Sequence, residues 1–488
     1  MNRSSHLDFK LSKTQYIQLS KICDELIHCN LLNKAVVAQD FLHVSRYSPL
    51  MSKAYIVLYK INILSSFLRI FRNLIYFLKN ILNSVSYREL DLSAFDKDID
   101  YLFISHYTGK QNNQEYVDSY FGEMIKRIDV NGVKVAIAYI NHTSYESMGV
   151  SNNKLIDSVL LDNKIGFFRL IQIYKQSLFT LFQFNGVGKN TVSKRLSAKT
   201  RLGLFSPGTI RTQIIAHHVQ NLVATLSPKH LVTTYEGHAW EKLCFALARE
   251  VKPLVKCVAY QHAPIFKFQH AIKRNIGGNY DPDVILASSS TSKRKMLSCE
   301  QLKGSKILLI GSGRFMQKTA NFSKDSSAVN TCLVAPEGTI LECAVLFGFS
   351  LECAKKIDNV NFIWRFPPEV NIAMLQKSDA KFKILGENIS VSKDSLEDNI
   401  KSSNHILYRG SSVVIQAILS GLEPMYFMQD NELSMDPLFD YQEDDRIVKS
   451  VSDFEKKIQD VQLVSCDLIA HCENMYTEIN IEALEEIE

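Results

Sequence analysis

The clearest hydrophobic pattern lies in the second half of the chain, where three short apolar runs are each followed by a turn. The runs are Cys332–Ala335, Phe362–Trp364 and His405–Tyr408. Apolar, β-branched runs bounded by turn residues are typical of buried strands, and helical periodicity begins after the first and third turns. The pattern predicts parallel strands whose turns lie together at their carboxyl ends. That edge is where open α/β sheets bind ligands.

Two of these turns carry polar groups that suit a nucleotide. Glu337 can accept hydrogen bonds from ribose or base donors, and Gly338 permits close backbone approach. Ser411 and Ser412 place two hydroxyls before a predicted helix, a suitable cradle for phosphate. An ordinary helix start or a serine cap would give the same pattern, so each signal alone has a purely structural alternative.

The middle turn is different in kind. Arg365 ends its strand and precedes Pro367 and Pro368, which form a rigid turn. Proline lacks an amide hydrogen, so neighbouring carbonyl groups stay free for a ligand. By itself the segment would be read as a turn only.

Together, the three turns resemble the nucleotide-binding half of a GT-B glycosyltransferase. More narrowly, they resemble the bacterial sialyltransferase and Kdo-transferase groups, which use CMP-activated sugars and carry an acidic-Gly motif, a His-Pro motif and a Ser-Ser/Thr motif. Glu337-Gly338 matches the first motif and Ser411-Ser412 the third. Pro367 stands where the histidine would be, so only Pro368 and the upstream Arg365 fit the second. The resemblance covers roughly residues 230–430.

This resemblance implies an α/β fold with two Rossmann-like domains facing a central cleft, and an additional N-terminal helical region. It implies a metal-independent glycosyltransferase with a nucleotide-sugar donor, CMP-linked, and no cofactor. The acceptor would be a bacterial surface glycan such as lipopolysaccharide or capsule, or a lipid-linked glycan. The implied nucleotide-binding residues are Glu337, Gly338, Arg365, Pro368, Ser411 and Ser412.

The first half of the chain also alternates between strand and helix patterns. Asp98–Ser105, Gln114–Ile128 and Val133–Ile140 read as strand, helix and strand, the usual opening of a Rossmann-like domain. Residues 155–185 read as helix, and 186–199 as a basic linker. We therefore expect a helical region over 1–96, an acceptor-side domain over 97–305 and a nucleotide-sugar domain over 306–488. Gly311-Ser312-Gly313 marks the crossing between the two domains.

Two strand ends in the acceptor-side domain carry candidate catalytic groups. Glu236 lies at one strand tip and Glu241 one turn into the next helix, so both are expected to face the same crevice; His262 follows the next strand. Glycosyl transfer needs a base for the acceptor hydroxyl and stabilisation of the departing phosphate. Glu236 is the first candidate base, Glu241 the second, and His262 a candidate to hold phosphate or acceptor. The alternative is a capping glutamate beside a core Trp240.

The most apolar and aromatic segment runs from Ala54 to Val85. Four cations, Lys60, Arg69, Arg72 and Lys79, interrupt it, so it lacks the run of about 18 uncharged residues expected of a spanning helix. A cationic amphipathic helix at a bilayer interface fits the pattern. A buried helix of the first domain and a dimer contact are the alternatives.

Composition, net charge and cysteine spacing bear on the partners and the cellular compartment of the protein. The chain has 488 residues, of which 46% are hydrophobic, and a net charge of +5, too weak to indicate a nucleic-acid partner. Its ten cysteines form no CxxC pair, and the first residues lack an apolar signal core. These features predict free thiols in the cytoplasm, and the amphipathic 54–85 segment adds peripheral association at the inner face of the plasma membrane as an alternative to burial. The Asp-x-Asp triplets at 96–100 and 281–283 precede strands, so they are interpreted as solvated turns and not as a metal site.

Two functions are compatible with the sequence. The first is the glycosyltransferase described above. The second is a catalytically inactive nucleotide-binding or assembly protein of a membrane-associated polysaccharide complex, supported by Pro367 in place of histidine.

Overall fold

The structure is a computed structural model that describes residues 10–45, 47, 63–90, 92–93, 95–107, 118–129, 132–143, 156–315, 330–368, 370–460 and 464–487. Within these ranges the chain forms two parallel β-sheets, each covered by helices. All ten cysteines are free thiols, as predicted, and most are buried.

The first sheet has seven parallel strands in the order β3-β2-β1-β4-β5-β6-β7. Its strands are nearly continuous runs of buried apolar residues, as expected when helices cover both faces. They are β1 (Tyr101–Tyr107), β2 (Val135–Asn141), β3 (Asp157–Leu161), β4 (His230–Thr234), β5 (Lys256–Gln261), β6 (Val284–Ala287) and β7 (Lys306–Leu309).

Local sequence signals explain where helices of the first domain begin and end. The long buried helix that begins at Pro207 is capped by Ser206, whose hydroxyl accepts a hydrogen bond from Thr209 N. It ends before Ser227, which adopts a left-handed conformation. The helices are α1 (Lys13–His28), α2 (Lys34–Val37), α3 (Ile63–Val85), α4 (Met124–Asp129), α5 (Phe167–Gln183), α6 (Thr191–Gly203), α7 (Pro207–Leu226), α8 (Ala239–Val251) and α9 (Ser290–Leu297).

The second sheet has six parallel strands in the order β10-β9-β8-β11-β12-β13. They are β8 (Asn330–Pro336), β9 (Val360–Trp364), β10 (Ile389–Val391), β11 (His405–Arg409), β12 (Glu423–Phe427) and β13 (Ile447–Val448). The accompanying helices are α10 (Ile340–Ala354), α11 (Ile372–Ser378), α12 (Leu396–Lys401), α13 (Val413–Leu419), α14 (Val451–Gln459) and α15 (Cys466–Glu473).

Both sheets reverse their strand order at one point. The reversal lies between β1 and β4 in the first sheet, and between β8 and β11 in the second. In doubly wound sheets such a switch point opens a crevice at the carboxyl ends of the strands, where ligands bind. The two sheets confirm the predicted class, an α/β fold with two Rossmann-like domains.

The two ends of the described chain both belong to the first domain. Side chains of α1 and α2 share one hydrophobic core with the first sheet, so the N-terminal helices are part of that domain. At the other end, Ile479, Leu484 and Ile487 pack on the opposite face of the same sheet. Asn480 N donates to Ile310 O at 2.8 Å, so the last segment of the described chain is attached to the first domain.

Gly311, at the crossing between the domains, is explained by this return. Its φ is +91°, and a Cβ atom there would lie 2.1 Å from Glu478 O. A side chain at residue 311 would therefore collide with the returning segment, in a backbone conformation that already favours glycine. The Gly311-Ser312-Gly313 turn is a crossing point, as predicted.

Several predicted elements differ in the structure. Asp157–Leu161 is the edge strand β3, where helix was predicted, and the predicted linker forms α6, because the Asn190 side chain accepts from Ser193 N and caps its start. The predicted helix Gln114–Ile128 is reduced to α4; its residues 114–117 lie outside the described ranges. Asp118 accepts from the amides of Tyr120 and Phe121, a local turn that competes with helix.

The domain boundary also shifts slightly. Lys306–Leu309 is a strand of the first sheet, so the first domain continues past residue 305 and the crossing follows Leu309. A four-residue apolar strand is too short for periodicity to assign it to one sheet or the other.

Candidate active site

Five ionisable side chains gather at the carboxyl ends of the central strands of the first sheet. His106 is near the end of β1, His142 follows β2, and His262 follows β5. Glu236 and His238 follow β4, which lies next to β1 at the switch point. We call these five residues the His–Glu cluster.

Glu241 shapes the turn that carries two members of the cluster. Its carboxylate accepts the amide hydrogens of Glu236 at 2.9 Å and of Gly237 and His238 at 2.8 Å each. The side chain is buried, and burial raises its pKa to about 7 against the opposing effects of His238 and the amides. Contrary to the expectation that both glutamates face the crevice, Glu241 faces the turn and positions Glu236.

The turn also needs glycine at residue 237. Gly237 has a φ of +83°, and a Cβ atom there would lie 2.4 Å from the carbonyl carbon of Ala271. Glycine thus allows the chain to pass close to its neighbour and turn back into α8. The local sequence places Glu236 at the tip of this turn.

Glu236 lies between two histidines in opposite protonation states. Its Oε2 is 3.3 Å from His238 Nε2, and its Oε1 is 3.7 Å from His262 Nε2. Burial lowers the pKa of His238, but Glu236 and Glu241 outweigh this and raise it to about 9. Burial lowers the pKa of His262 to about 4, with Glu236 opposing and the Arg314 charge adding to the shift. At neutral pH, therefore, His238 is a cation, His262 is neutral, and the partly exposed Glu236 is open to a ligand.

His106 and His142 form the other wall of the crevice. His106 Nδ1 lies 2.8 Å from His142 Nε2, and its Nε2 lies 3.0 Å from Thr234 Oγ1. The ring of His106 packs against those of Tyr120 and Trp240, with centroids 4.9 and 5.4 Å away. Burial, followed by the neighbouring histidines, lowers the pKa of His106 to about 3. Because both ring nitrogens of His106 already have partners, His142 is the ring of this pair that can exchange a hydrogen bond with a sugar hydroxyl, through Nδ1.

Arg314, at the domain crossing, connects the two switch points. One nitrogen, Nη1, lies 3.5 Å from Ser412 Oγ in the second domain. On the other side, its charge acts on His262 of the cluster. Burial lowers the pKa of Arg314, but Tyr476, Tyr260 and Tyr120 outweigh this and raise it. The guanidinium is therefore a cation beside the candidate phosphate turn, and it is near enough to the His–Glu cluster to lower the pKa of His262.

In the second domain, the structure brings the first and third predicted turns together. β8 and β11 are neighbours, with Pro336 opposite Arg409, so Glu337 and Gly410 are the next residues along. A Cβ atom on Gly410 would lie 3.2 Å from Glu337 Oε2. Gly338 is exposed, and no atom of the described residues lies within 4 Å of its Cβ position. Glu337, Gly338 and the serines thus share one edge.

The Ser412 hydroxyl is not used as a helix cap. Within the described part of the chain it makes no capping hydrogen bond to α13, and its contact is with Arg314. The seven-residue α13 is too short for its amides alone to define a site. The hydroxyls of Ser411 and Ser412, together with Arg314, are therefore the groups available to an anion.

Arg365 and Pro368 are placed differently from the other predicted residues. Nη1 of Arg365 donates to Asp394 O and to Asn399 Oδ1, both at 3.0 Å, which ties the end of β9 to the segment leading into α12. Pro368 is exposed. Because β9 pairs with β8, Arg365 lies at the same sheet edge as Glu337, but its guanidinium is held by Asp394 and Asn399.

Behind the serine turn lies a buried ion cluster that the sequence did not reveal. Arg409 donates through Nε to Glu342 at 2.5 Å and through Nη2 to Glu432 at 2.8 Å. Glu342 is in the first turn of α10 and Glu432 follows β12, so Arg409 joins three elements directly before Gly410. Removing one member of such a buried cluster leaves an uncompensated charge. Arg409 therefore holds the serine turn in place.

Ion pairs close the domains against each other. Lys295 on α9 lies 2.9 Å from Asp440, and Lys267 lies 3.0 Å from Glu443. Met435, from the same segment of the second domain, packs in the core of the first. This closure keeps the two switch points facing.

The Asp281–Asp283 triplet is not the solvated turn that was predicted. Asp281 accepts from Lys242 Nζ at 2.8 Å beneath the β4 turn, and Asp283 pairs with Arg249 at 2.8 Å. Both aspartates thus stabilise the scaffold, and this pairing could not be read from spacing alone. Among the described residues, no group of His, Cys, Asp and Glu is arranged to hold a metal ion.

We expect His262 to make stability depend on pH. Its pKa is about 4 in the folded state and about 6.5 when unfolded, so the stability it contributes is complete above pH 6.5 and is lost as the pH falls towards 4. When the pH is lowered from 7 to 5, the free energy of unfolding should fall in both proteins, and it should fall by about 1–2 kcal/mol less in His262→Asn than in the wild type. Urea unfolding at both pH values measures this, and equal losses would contradict it.

Comparisons with known proteins give distant similarities only. No protein-family model matches the chain, and no curated protein does. The glycosyltransferase SnogD from Streptomyces nogalater is 12% identical, covering 80% of this chain and 99% of its own, with a TM-score of 0.42. S. aureus MnaA in a co-structure with UDP is 10% identical over 80% and 95%, with a TM-score of 0.44. UDP-GlcNAc 2-epimerase from Methanocaldococcus jannaschii is 11% identical over 80% and 98%, with a TM-score of 0.40.

Proposed function

We propose that the protein is a glycosyltransferase that moves a sugar from a nucleotide donor to a glycan hydroxyl. One observation carries the proposal. Arg314 Nη1 lies 3.5 Å from Ser412 Oγ at one switch point, and its charge lowers the pKa of His262 at the other, so a cation lies beside the candidate phosphate turn and near the cluster that holds the candidate base. Glycosyl transfer needs these three functions side by side.

On the donor side, Glu337 and the two serines are the groups offered to the nucleotide. Glu337 can accept hydrogen bonds from ribose or base, and the hydroxyls of Ser411 and Ser412 can donate to phosphate. Arg314 supplies the positive charge. The motif resemblance favours a CMP-linked donor. We therefore propose a CMP-sugar as the donor in preference to a UDP-sugar.

On the acceptor side, Glu236 is the proposed base. As the acceptor oxygen attacks the anomeric carbon, the new C–O bond makes its hydroxyl acidic, and Glu236 takes the proton. The bond between the anomeric carbon and the phosphate oxygen breaks, and the phosphate keeps the electron pair. Arg314 and the serine hydroxyls stabilise the charge that develops there. The His238 cation, 3.3 Å from Glu236 Oε2, orients the carboxylate.

The proposed acceptor is a bacterial surface glycan such as lipopolysaccharide or capsule. Its hydroxyls would meet the neutral ring of His142, which His106 holds within the His–Glu cluster. Tyr120 and Trp240 add aromatic surface against which a sugar ring can pack.

A thermal-shift screen with CMP, UDP, GDP and CDP tests the donor side. We expect stabilisation by CMP above the other three. Nucleotide release from CMP-sugars and UDP-sugars, with and without a glycan acceptor, then tests transfer. Stabilisation by UDP alone would overturn the CMP assignment, and binding without release would favour the inactive assembly protein.

The double substitution Ser411→Ala with Ser412→Ala should weaken nucleotide binding by about 1–3 kcal/mol, the value of hydrogen bonds to a charged phosphate. The fold should be unaffected because neither side chain is buried. Calorimetric titration measures the affinity. Ser402→Ala, an exposed serine in the same domain, is the control, and an unchanged double variant would show that the serines do not touch phosphate.

A further inference from the structure

Helices α3 and α5 present an extensive apolar surface to solvent. Among the side chains that the structure describes, nine large apolar ones of α3 and six of α5 are exposed. On α3 they include Phe67, at 68% exposure, and Phe71; on α5 they include Phe168 and Phe182, at 87% and 80%. Exposed patches of this kind on a monomer mark a site of interaction with a protein or a membrane.

The orientation of α3 is inverted relative to an ordinary surface helix, which buries its apolar face. Here the inward face is mixed, with polar side chains alongside Phe77 and Ile81. Asn73 Nδ2 donates to Leu202 O and Asn80 Nδ2 to the Tyr174 hydroxyl, both at 3.4 Å, and Ser84 is buried. The helix is therefore fixed to the domain by its inward side chains, and this attachment leaves the apolar stripe in solvent.

The two helices form one continuous surface. Phe77 of α3 packs edge-on against Tyr174 of α5, with ring centroids 4.6 Å apart. Ile81 joins the same cluster, whose centre includes Leu170 and Ile173. The outward faces of α3 and α5 are thus held side by side by a packed core, and we call them the α3–α5 face.

The charge of the α3–α5 face indicates what kind of partner it binds. The sequence has no Asp or Glu between Asp40 and Glu89, nor between Asp162 and Glu236. The charged side chains of α3 and α5 are therefore all cations: Arg69, Arg72, Lys79, Arg169 and Lys175. A second copy of the face would bring like charges together, whereas anionic lipid headgroups complement them.

We propose that the α3–α5 face docks the protein on an anionic lipid bilayer. The aromatic and leucine side chains enter the interface while the cations contact headgroup phosphates. No described helix is long and apolar enough to cross a membrane, and docking requires none. The predicted interfacial segment is thereby extended: α5 contributes as much aromatic surface as α3, while residues 54–62 lie outside the described ranges.

Sedimentation with vesicles tests the proposal without nucleotide, so its outcome is independent of glycosyl transfer. The full chain should sediment with phosphatidylcholine vesicles that contain phosphatidylglycerol, and weakly with phosphatidylcholine alone. Phe67→Glu with Phe71→Glu, and separately Phe168→Glu with Phe182→Glu, should each reduce the partition coefficient by at least about tenfold. The four residues are exposed, so the substitutions leave the core intact.

The matched control is Leu32→Glu with Leu254→Glu. These leucines are 98% and 88% exposed, lie outside the face, and add the same charge when substituted. The control should lose little binding. Equal binding by all variants, or no binding by the wild type, would overturn the proposal. So would a dimer, seen by light scattering, that the Phe67 and Phe71 substitutions dissociate and that does not bind vesicles.

Discussion

Glu236→Gln should lower turnover by about 100-fold or more while leaving nucleotide affinity nearly unchanged. Glutamine keeps the shape and one acceptor oxygen, but it cannot take the acceptor proton. Glu236 is partly exposed, but it pairs with the His238 cation, so the melting temperature should fall modestly while the fold is kept. Steady-state kinetics with a responsive donor, together with calorimetry, measure the two effects separately.

Glu241→Gln provides the contrast. Its carboxylate accepts three amide hydrogens, and glutamine would place an NH₂ group against at least one of them. We expect a lower melting temperature together with lower turnover, because the turn that carries Glu236 would be disturbed. Near-normal turnover of Glu236→Gln combined with loss in His262→Asn would show that the base has been assigned to the wrong residue.

Arg314→Met should weaken nucleotide binding and lower turnover by about 100-fold, in the range found when one donor to a developing charge is removed. Methionine keeps much of the aliphatic stem that packs at the crossing but loses the cation next to Ser412. Arg314→Lys should recover part of the binding and less of the turnover, because lysine restores the charge without the planar, forked geometry.

Arg365→Met is the matched comparison for this prediction. One nitrogen of Arg365 is held by Asp394 and Asn399, so its loss should lower the melting temperature more than the nucleotide affinity. If Arg365→Met abolishes binding while Arg314→Met does not, the phosphate lies nearer to β9 than we propose. Calorimetric titration of both variants with the same nucleotide decides between these outcomes.

The sequence by itself determined the features that depend on neighbours along the chain. Apolar runs such as Cys332–Ala335, followed by turns, identified central strands of both sheets, because strand and turn preferences act over a few residues. The same short-range preferences predicted that Glu236, Glu337 and Ser411 lie at strand ends. They assigned helix to the residues of β3, and they identified β7 as a strand but gave it to the wrong domain, because a short apolar run carries too little periodicity to reveal its partner.

Only the tertiary structure decided which of these strand ends meet, and in what chemical state. The pairing of His106 with His142 follows from the register of β1 on β2, and the contact of Arg314 with Ser412 follows from the domain crossing. The opposite charge states of His238 and His262 depend on burial and on carboxylates placed by other segments. The outward direction of the apolar face of α3 is set by Asn73 and Asn80 binding inward. Each of these depends on residues distant in sequence, whose approach no local pattern records.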